Sequence, residues 1–549
     1  MTSLLVVITF CVAAVGITHW APNRVVRLLW TVMPFLVAIA LIAYARRSSI
    51  YLQAPISIDE AQFLADAIKV SSGRWVPWVD FDTGTVGFVI PYGLVPIVSG
   101  FPSDPYFASR ILAIVCAAVW AFGSMLAFRT AVSPGISLVL AAPLVLIAGL
   151  PGSGDLLTFS SELLPLALAF GGFGVALFAS SKQRSLWLTA IGFLMIGLVP
   201  FAKLQVAPVA LLLGIIAITQ GLAFPVVWHD RRRTLVALAA GLAPLAAVLL
   251  GMIGSPVFRG RVLDAVTFTQ SYTAAGDPWQ TTLRFFFRGE AFYDLARLSC
   301  VAAVVAGIMV MFVPRIRQHS GRRSLALVAV IAPIGLISMS LPGRGFPHYV
   351  WVGAVPALCG VLALSAVLLS PMIKFRQRNA VGVGVAIVLV VLVPTAGMVR
   401  GALHVPPLQL TQDVWDSTPW FPPSDPPTSI TGLGTPDQLA VKRALETCPG
   451  PIGVWGWDPQ ILVVTHRPYL GRSSVVPQQD IPAQSAWAGA MVEGRPNCIV
   501  DATGPTHFLF SCGDGCALQN QTFAGPVLEG YQRILDLPDY RVYKRSGSS

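Results

Sequence analysis

The sequence predicts a polytopic α-helical membrane protein with about twelve transmembrane helices and a C-terminal extracytoplasmic α/β domain. Of its 549 residues, 55% are hydrophobic and 11% are charged, and the mean hydropathy is +0.70. A soluble domain has roughly a quarter of its residues charged. Apolar runs long enough to cross a bilayer recur up to Arg400, after which the composition becomes that of a soluble domain. Most of the chain should therefore be solvated by lipid.

Twelve apolar runs are candidate transmembrane helices, allowing for tilt and for some short members. They lie near residues 3–18, 28–45, 107–128, 134–150, 162–180, 187–201, 204–225, 234–254, 295–314, 324–341, 349–370 and 379–398. Together they make region 1–398 the expected transmembrane part of the chain.

The basic residues indicate one membrane topology. The formal net charge is +11, but the Lys and Arg residues fall in short clusters between apolar runs, which is typical of topology signals and not of nucleic-acid binding. The clusters are Arg24/Arg27, Arg129, Lys182/Arg184, Arg231–Arg233, Arg315/Arg317/Arg322/Arg323 and Lys374/Arg376/Arg378. Because they occupy alternate connections, the positive-inside rule places them in the cytoplasm. Both chain ends and the connections 46–106, 151–161, 255–294 and 342–348 then lie outside an inner or plasma membrane.

The first extracytoplasmic connection, 46–106, contains a mildly apolar stretch, VGFVIPYGLVPIVSGF. Pro91 and Pro96 interrupt it, and proline disfavours a long uninterrupted helix. We therefore expect an interfacial or juxtamembrane helix here, not a full span.

The tail begins with a proline-rich linker at 399–428 and continues as a soluble domain at 429–549. Short apolar runs alternate with turn residues, a pattern that predicts a small α/β module. The expected strands are PIGVWGW, ILVVT, NCIVDA and YRVYKR, and the expected helices are LAVKRALET and VLEGYQRIL.

Four cysteines of the tail would face an oxidising compartment on this topology. Cys448 could pair with Cys498, and Cys512 with Cys516. Free thiols fit the sequence nearly as well, because spacing does not fix connectivity.

Four carboxylates of the first connection are candidates for chemistry. Asp59 and Glu60 open a helical pattern just after the second apolar run, and Asp80 and Asp82 follow among aromatic residues. Such carboxylates could accept a proton from an acceptor hydroxyl or hold a divalent metal. The alternative is structural, since acids are favoured in the first turn of a helix. For the neighbouring Asp66 we prefer a solvated position without function.

Cations and a second acid occur at the same membrane face. The short connection LPGRGFPHYVW contains Arg344, His348 and Tyr349, and two ionisable residues, Glu162 and Lys203, lie at the boundaries of apolar runs. Arg, His and Lys are suited to a lipid phosphate. Each could instead be an interfacial anchor. The mixture of aromatic and basic residues in 255–294 receives no specific role.

The motifs DEAQF, WVDFDTGTVG, FASRIL, SSELLPLAL, FAKLQ and GRGFPHYVW follow one another in this order. In order and spacing they resemble the membrane glycosyltransferases of the GT-C superfold, and especially the protein-mannosyltransferase and aminoarabinose-transferase group. The similarity covers nearly the whole membrane region. The tail segments VWGWDPQILVVTHRPYLGRSS and YRVYKR resemble the periplasmic α/β domain of many bacterial members.

This resemblance implies transfer of a sugar from a polyprenyl-phosphate carrier to an extracytoplasmic glycan, lipid or protein acceptor. The catalytic base of the family corresponds to Asp59, with Glu60 beside it. Arg344 and His348 match the position of donor-phosphate contacts, and Lys203 is a second such contact. Asp80, Asp82, Glu162 and Tyr349 stay candidates for substrate contacts or a second acid. Related folds include enzymes with and without metal, so a divalent cation stays an open option.

Two other functions fit a polytopic protein of this kind. A polysaccharide polymerase or ligase also uses lipid-linked glycans, but usually relies on a large loop with Arg and His and lacks the early acid pair. A lipid or glycan transporter should show internal repeats and acids in the middle of spans. The early acids therefore favour the transferase.

Overall fold

The computed structural model describes residues 2–19, 23–45, 50, 58–82, 87–147, 158–181, 185–222, 228–274, 291–342, 349–375, 436–456, 458–474, 481–503 and 514–547. The chain divides into two compact units. Unit 1 consists of Met1–Arg47, Ile111–Gly254 and Thr269–Pro406, and unit 2 of Ser48–Arg110, Ser255–Phe268 and Pro407–Ser549. Parts of the first and third extracytoplasmic connections of the predicted topology thus group with the tail.

The helices of the first part of the chain are α1 (Thr2–His19), α2 (Arg24–Ala45), α3 (Ile58–Ser71), α4 (Val89–Gly100), α5 (Pro105–Phe128), α6 (Pro134–Leu146), α7 (Leu163–Ser181), α8 (Leu186–Ala202), α9 (Ala207–Leu222), α10 (Trp228–Gly254) and α11 (Pro256–Ala274). They are followed by α12 (Ala291–Phe312), α13 (Pro314–Gln318), α14 (Ser320–Ile331), α15 (Ile334–Ser340) and α16 (Val350–Phe375).

Seven described helical segments are long and apolar enough to cross a membrane, and several shorter apolar helices accompany them. The described residues of each of the first eleven predicted runs lie mainly on one of these helices or on a consecutive pair. The run 379–398 lies outside the described residues, so the number of about twelve spans stays a prediction. The run 324–341 is divided into α14 and α15 at Pro333, as expected for a residue without a backbone N–H donor.

Unit 1 has closely packed helices and exposed apolar outer faces. A Cβ atom added to Gly174 of α7 would lie 1.8 Å from the Gly123 carbonyl oxygen of α5, so these backbones touch in the way that small residues permit in membrane helices. In contrast, Trp187, Ile253 and Phe312 are 78%, 79% and 74% exposed. Large exposed apolar side chains of this kind are suited to lipid contact.

The stretch with Pro91 and Pro96 forms the 12-residue helix α4. At about 1.5 Å per residue it is roughly 18 Å long, shorter than the hydrocarbon thickness of about 30 Å. This length agrees with the expectation that the stretch does not form a full span.

The tail contains α17 (Pro436–Leu445), β1 (Gly453–Gly456), α18 (Gln460–Thr465), α19 (Ile481–Gly494), β2 (Cys498–Ala502), α20 (Ala524–Leu528), β3 (Tyr531–Asp536) and β4 (Arg541–Arg545). Its sheet has the order β1-β2-β4-β3, in which β1 and β2 are parallel and the other pairs are antiparallel. Trp455, Trp487 and Met491 lie in its hydrophobic core. A disulfide joins Cys448 to Cys498, as the sequence allowed, whereas Cys512 lies outside the described residues.

Two segments of the tail differ from the prediction. ILVVT is helix α18 and not a strand, because a short continuous apolar run fits either element. The Asp458 side chain favours the helix here, since it accepts a hydrogen bond from the Gln460 N–H in the first turn. The predicted helix VLEGYQRIL ends after Leu528, since Gly530 has φ +78°. Its second half forms the edge strand β3.

Candidate active site

Helix α3 carries the acid pair that the sequence singled out. Asp59 and Glu60 lie in its first turn, and Lys69 lies in its last turn. Both placements are favourable for the helix macrodipole. Phe63 and Ile68 are at most 2% exposed, so packing as well as charge stabilises α3 within unit 2.

Glu60 is held in a buried ion pair. Its carboxylate accepts hydrogen bonds from Arg110 Nη2 at 2.7 Å and Nε at 3.0 Å, and from the Ser109 hydroxyl at 3.1 Å. Both charged side chains are fully buried. A bidentate pair of this kind neutralises the carboxylate, and its burial keeps Glu60 out of reach of a second molecule. Arg110 received no role from the sequence, although a lone Arg near the start of an apolar run, FASRIL, was a signal for it.

Asp59 differs from Glu60 in exposure. It is partly exposed, whereas Glu60 is 1% exposed. Successive residues of a helix point about 100° apart, so the two acids have different surroundings. Of the predicted pair, Asp59 is the acid that a second molecule could reach.

Asp66 and Lys69 form a second charged group on α3, and the sequence did not identify either residue as part of a site. Asp66 is fully buried, which makes its expected solvated position wrong, and its Oδ1 accepts a hydrogen bond of 2.8 Å from the Tyr469 hydroxyl. Burial raises the pKa of Asp66 to about 7 and lowers the pKa of Lys69 to about 7. The alternation of polar and apolar residues along α3 gave no sign that a distant tyrosine would cover this face.

Asp80 and Asp82 form hydrogen bonds that fix the turn at residues 76–82. Asp80 Oδ2 accepts a hydrogen bond from the Val76 N–H at 2.8 Å, while Trp78 has φ +61°, a strained value for a bulky residue. The Asp82 N–H donates to the Arg472 carbonyl at 2.7 Å. Asp80 therefore has a structural role in this conformation.

Glu162 and Lys203 form a buried ion pair in unit 1. Lys203 Nζ lies 2.9 Å from Glu162 Oε1 and donates to the Ser161 hydroxyl at 2.6 Å. It also lies 5.1 Å from the centroid of the Tyr349 ring. The sequence placed these three candidates at one membrane face, and the structure brings them together. Arg344 and His348, the other candidates for phosphate binding, lie outside the described residues.

Within the described part of the chain, no group of three or more His, Cys, Asp and Glu side chains could hold a metal ion. Two of the candidate acids, Glu60 and Glu162, form buried ion pairs with Arg110 and Lys203. Neither ion pair is a ready metal site.

No protein-family model matches the chain, and no curated protein is similar to it in sequence. Among solved structures, the chain is similar to ArnT from Cupriavidus metallidurans bound to undecaprenyl phosphate, with 16% identity, coverage of 94% of this chain and 99% of that one, and a TM-score of 0.47. It is also similar to the oligosaccharyltransferase AglB from Archaeoglobus fulgidus in complex with an inhibitory peptide and a dolichol-phosphate, with 12% identity, coverage of 96% and 75%, and a TM-score of 0.46.

The apo form of the Archaeoglobus fulgidus oligosaccharyltransferase has 13% identity, coverage of 88% and 70%, and a TM-score of 0.46. These TM-scores lie below 0.5, so the function of this chain has to be inferred from its own residues.

Proposed function

We propose that this protein is a membrane glycosyltransferase that moves a sugar from a polyprenyl-phosphate donor to an extracytoplasmic glycan, lipid or protein acceptor. The observation that carries the proposal is the acid pair at the start of α3. Arg110 neutralises Glu60, whereas its neighbour Asp59 is partly exposed. The pair therefore offers one acid for catalysis and uses the other to fix the helix.

Asp59 is the proposed general base. It takes the proton of an acceptor hydroxyl while the acceptor oxygen forms a bond to the anomeric carbon of the sugar. The bond between that carbon and the phosphate oxygen breaks, and polyprenyl phosphate leaves with the bonding electrons. Direct displacement of this kind inverts the anomeric carbon, and a general base typically contributes a factor of roughly 10²–10⁴ to the rate.

Cations stabilise the departing phosphate as its negative charge develops. The proposed donor contacts are Arg344, His348 and Lys203. Lys203 is paired with Glu162, so a phosphate would have to compete with this carboxylate. Asp82 and Tyr349 are proposed as substrate contacts, and a divalent cation stays an option.

The proposed arrangement in the cell follows the distribution of basic residues. The region 1–398 is a multi-pass part of the inner or plasma membrane, 399–428 is a linker, and 429–549 is an extracytoplasmic domain. The disulfide between Cys448 and Cys498 supports an oxidising compartment for the tail.

The experiment is transfer of radiolabelled sugar from defined polyprenyl-phosphate donors to acceptors in membrane extract. We compare the purified wild-type protein with Asp59→Asn and with Asp437→Asn, which alters another partly exposed acid in a first helical turn. We expect Asp59→Asn to lose at least about 100-fold in rate and Asp437→Asn to retain it.

Full activity of Asp59→Asn would remove the proposed base. Absence of transfer by the wild-type protein across a broad donor panel would instead favour the polymerase, ligase or transporter functions. The acceptor analysis of an active protein would identify which of the three acceptor classes is used.

A further inference from the structure

Residues 469–474 of the tail contact the acid helix α3 through side chains buried on both sides. The Tyr469 hydroxyl donates to Asp66 Oδ1 at 2.8 Å, and the two residues are 1% and 0% exposed. Lys69 Nζ donates to the Gly471 carbonyl and lies 3.9 Å from the centroid of the Tyr469 ring. Asp66 and Lys69 are three residues apart, so one face of α3 receives both contacts.

The same segment also holds the chain that follows α3. The Arg472 carbonyl accepts a hydrogen bond of 2.7 Å from the Asp82 N–H. At the opposite end of α3, Glu60 is fixed by Arg110. The helix is therefore held at both ends, and residues 469–474 supply the contacts at the Lys69 end.

These contacts bear on the orientation of Asp59. Asp59 and Asp66 are seven residues apart, so they lie on the same side of α3, about 10 Å apart along its axis. A helix has a radius of about 5–6 Å including side chains, so a rotation of roughly 20° moves a carboxylate by about 2 Å. A displacement of about 1 Å from a productive position can lower a rate by about 100-fold.

We propose that residues 469–474 are a positioning element of the transferase, with Tyr469 as a positioning residue that fixes the rotation of α3 and hence the position of Asp59. This inference rests on the proposed function. Burying Asp66 and Lys69 is costly unless both are paired, and the tail segment supplies a hydroxyl and a carbonyl that pair them. The tail domain is thus part of the catalytic unit and not an independent accessory module.

The test compares Tyr469→Phe with Tyr540→Phe in the full-length protein. Each change removes a buried tyrosine hydroxyl that donates to a buried aspartate, and the Tyr540 hydroxyl donates to Asp458 at 2.7 Å within the tail. Hydrogen exchange measured by mass spectrometry reports the protection of the α3 amides. Transfer kinetics give kcat and the donor KM.

For Tyr469→Phe we expect α3 amides to exchange at least about 10-fold faster, while the sheet amides of the tail stay as in the wild-type protein. We expect kcat to fall by about 10–100-fold with the donor KM changed less than about twofold. Tyr540→Phe should leave kcat and α3 protection unchanged within about twofold.

Unchanged kcat and unchanged α3 protection in Tyr469→Phe would overturn the inference, as would equal losses in both variants, which would indicate general destabilisation. If the wild-type protein transferred no sugar, the proposed function would fail on its own. The exchange comparison would then still decide whether Tyr469 orders α3.

Discussion

Replacing Glu60 with glutamine should lower the stability of the protein substantially, because Arg110 would keep its charge without a carboxylate. Both side chains are fully buried, and the pair is bidentate, with distances of 2.7 and 3.0 Å. Removing one partner of a buried ion pair costs about 3–5 kcal/mol. A glutamine still offers one oxygen to Arg110, so we expect the lower half of this range.

The corresponding shift in unfolding temperature follows from the size of unit 2, which contains both Glu60 and Arg110. A cooperative unit of roughly 150–250 residues shifts by about 2–4 °C for each kcal/mol. Glu60→Gln should therefore unfold roughly 6–16 °C below the wild-type protein. The assay is thermal unfolding in detergent at a fixed scan rate.

A double variant separates the ion pair from other effects of the substitution. Glu60→Leu combined with Arg110→Met removes both charges, and replacing a buried pair by apolar residues is often neutral. We expect this variant to recover most of the lost stability. A Glu60→Gln protein that unfolds within about 1 °C of the wild type would refute the reasoning. Transfer activity of a stable double variant would also show that Glu60 is dispensable for catalysis, whereas its loss would return Glu60 to the catalytic candidates.

Three further predictions concern covalent linkage, packing and pH. Cys448→Ala should cost about 4 kcal/mol, since the disulfide to Cys498 joins residues 50 positions apart. Thermal unfolding without reductant should give a lower midpoint for the variant than for the wild-type protein, and equal midpoints would contradict this estimate. Gly174→Ala should destabilise the protein, because the new Cβ would lie 1.8 Å from a carbonyl oxygen. Gly307→Ala should be neutral or stabilising, because the atom nearest to its new Cβ is 4.0 Å away. Equal midpoints of thermal unfolding for the two variants would contradict the close packing at Gly174. Burial raises the pKa of Asp66 from 3.8 to about 7. Between pH 4 and pH 7, roughly, the Asp66 carboxylate therefore holds a proton in the folded state that it has lost in the unfolded state. The contribution of Asp66 to the free energy of unfolding falls as the pH rises through this range. Asp66→Asn should remove this part of the pH profile, and an unchanged profile would argue against the raised pKa.

The helical architecture of unit 1 could be predicted because hydropathy alone defines it. In lipid, each backbone polar group must be satisfied within its own segment, so a long apolar run forms a helix. The runs near 107–128 and 349–370, for example, coincide with α5 and α16 to within a few residues. Local patterns in the tail were less decisive, as the helix at ILVVT and the strand at YQRIL show, because a short run of this kind suits either element.

The candidate site could be predicted only in part, because periodicity does not specify partners. The sequence pattern identified Asp59 and Glu60 together, and only the family resemblance assigned the role of base to Asp59. Arg110, 50 positions away, distinguishes them by neutralising Glu60. In the same way, Asp66 has the sequence context of a solvated acid, and only the contact with Tyr469, 403 positions away, shows that it is covered.

Composition and local pattern were sufficient to predict a membrane protein, its helical segments, a small α/β module in the tail and the segment that carries the acids. Each of these features depends on residues that are close together in the chain. The fold was needed to establish which charges are neutralised, which acid is accessible and which part of the tail touches α3. These properties depend on burial and on contacts between residues up to hundreds of positions apart, and the free energy of a buried charge is set by such contacts.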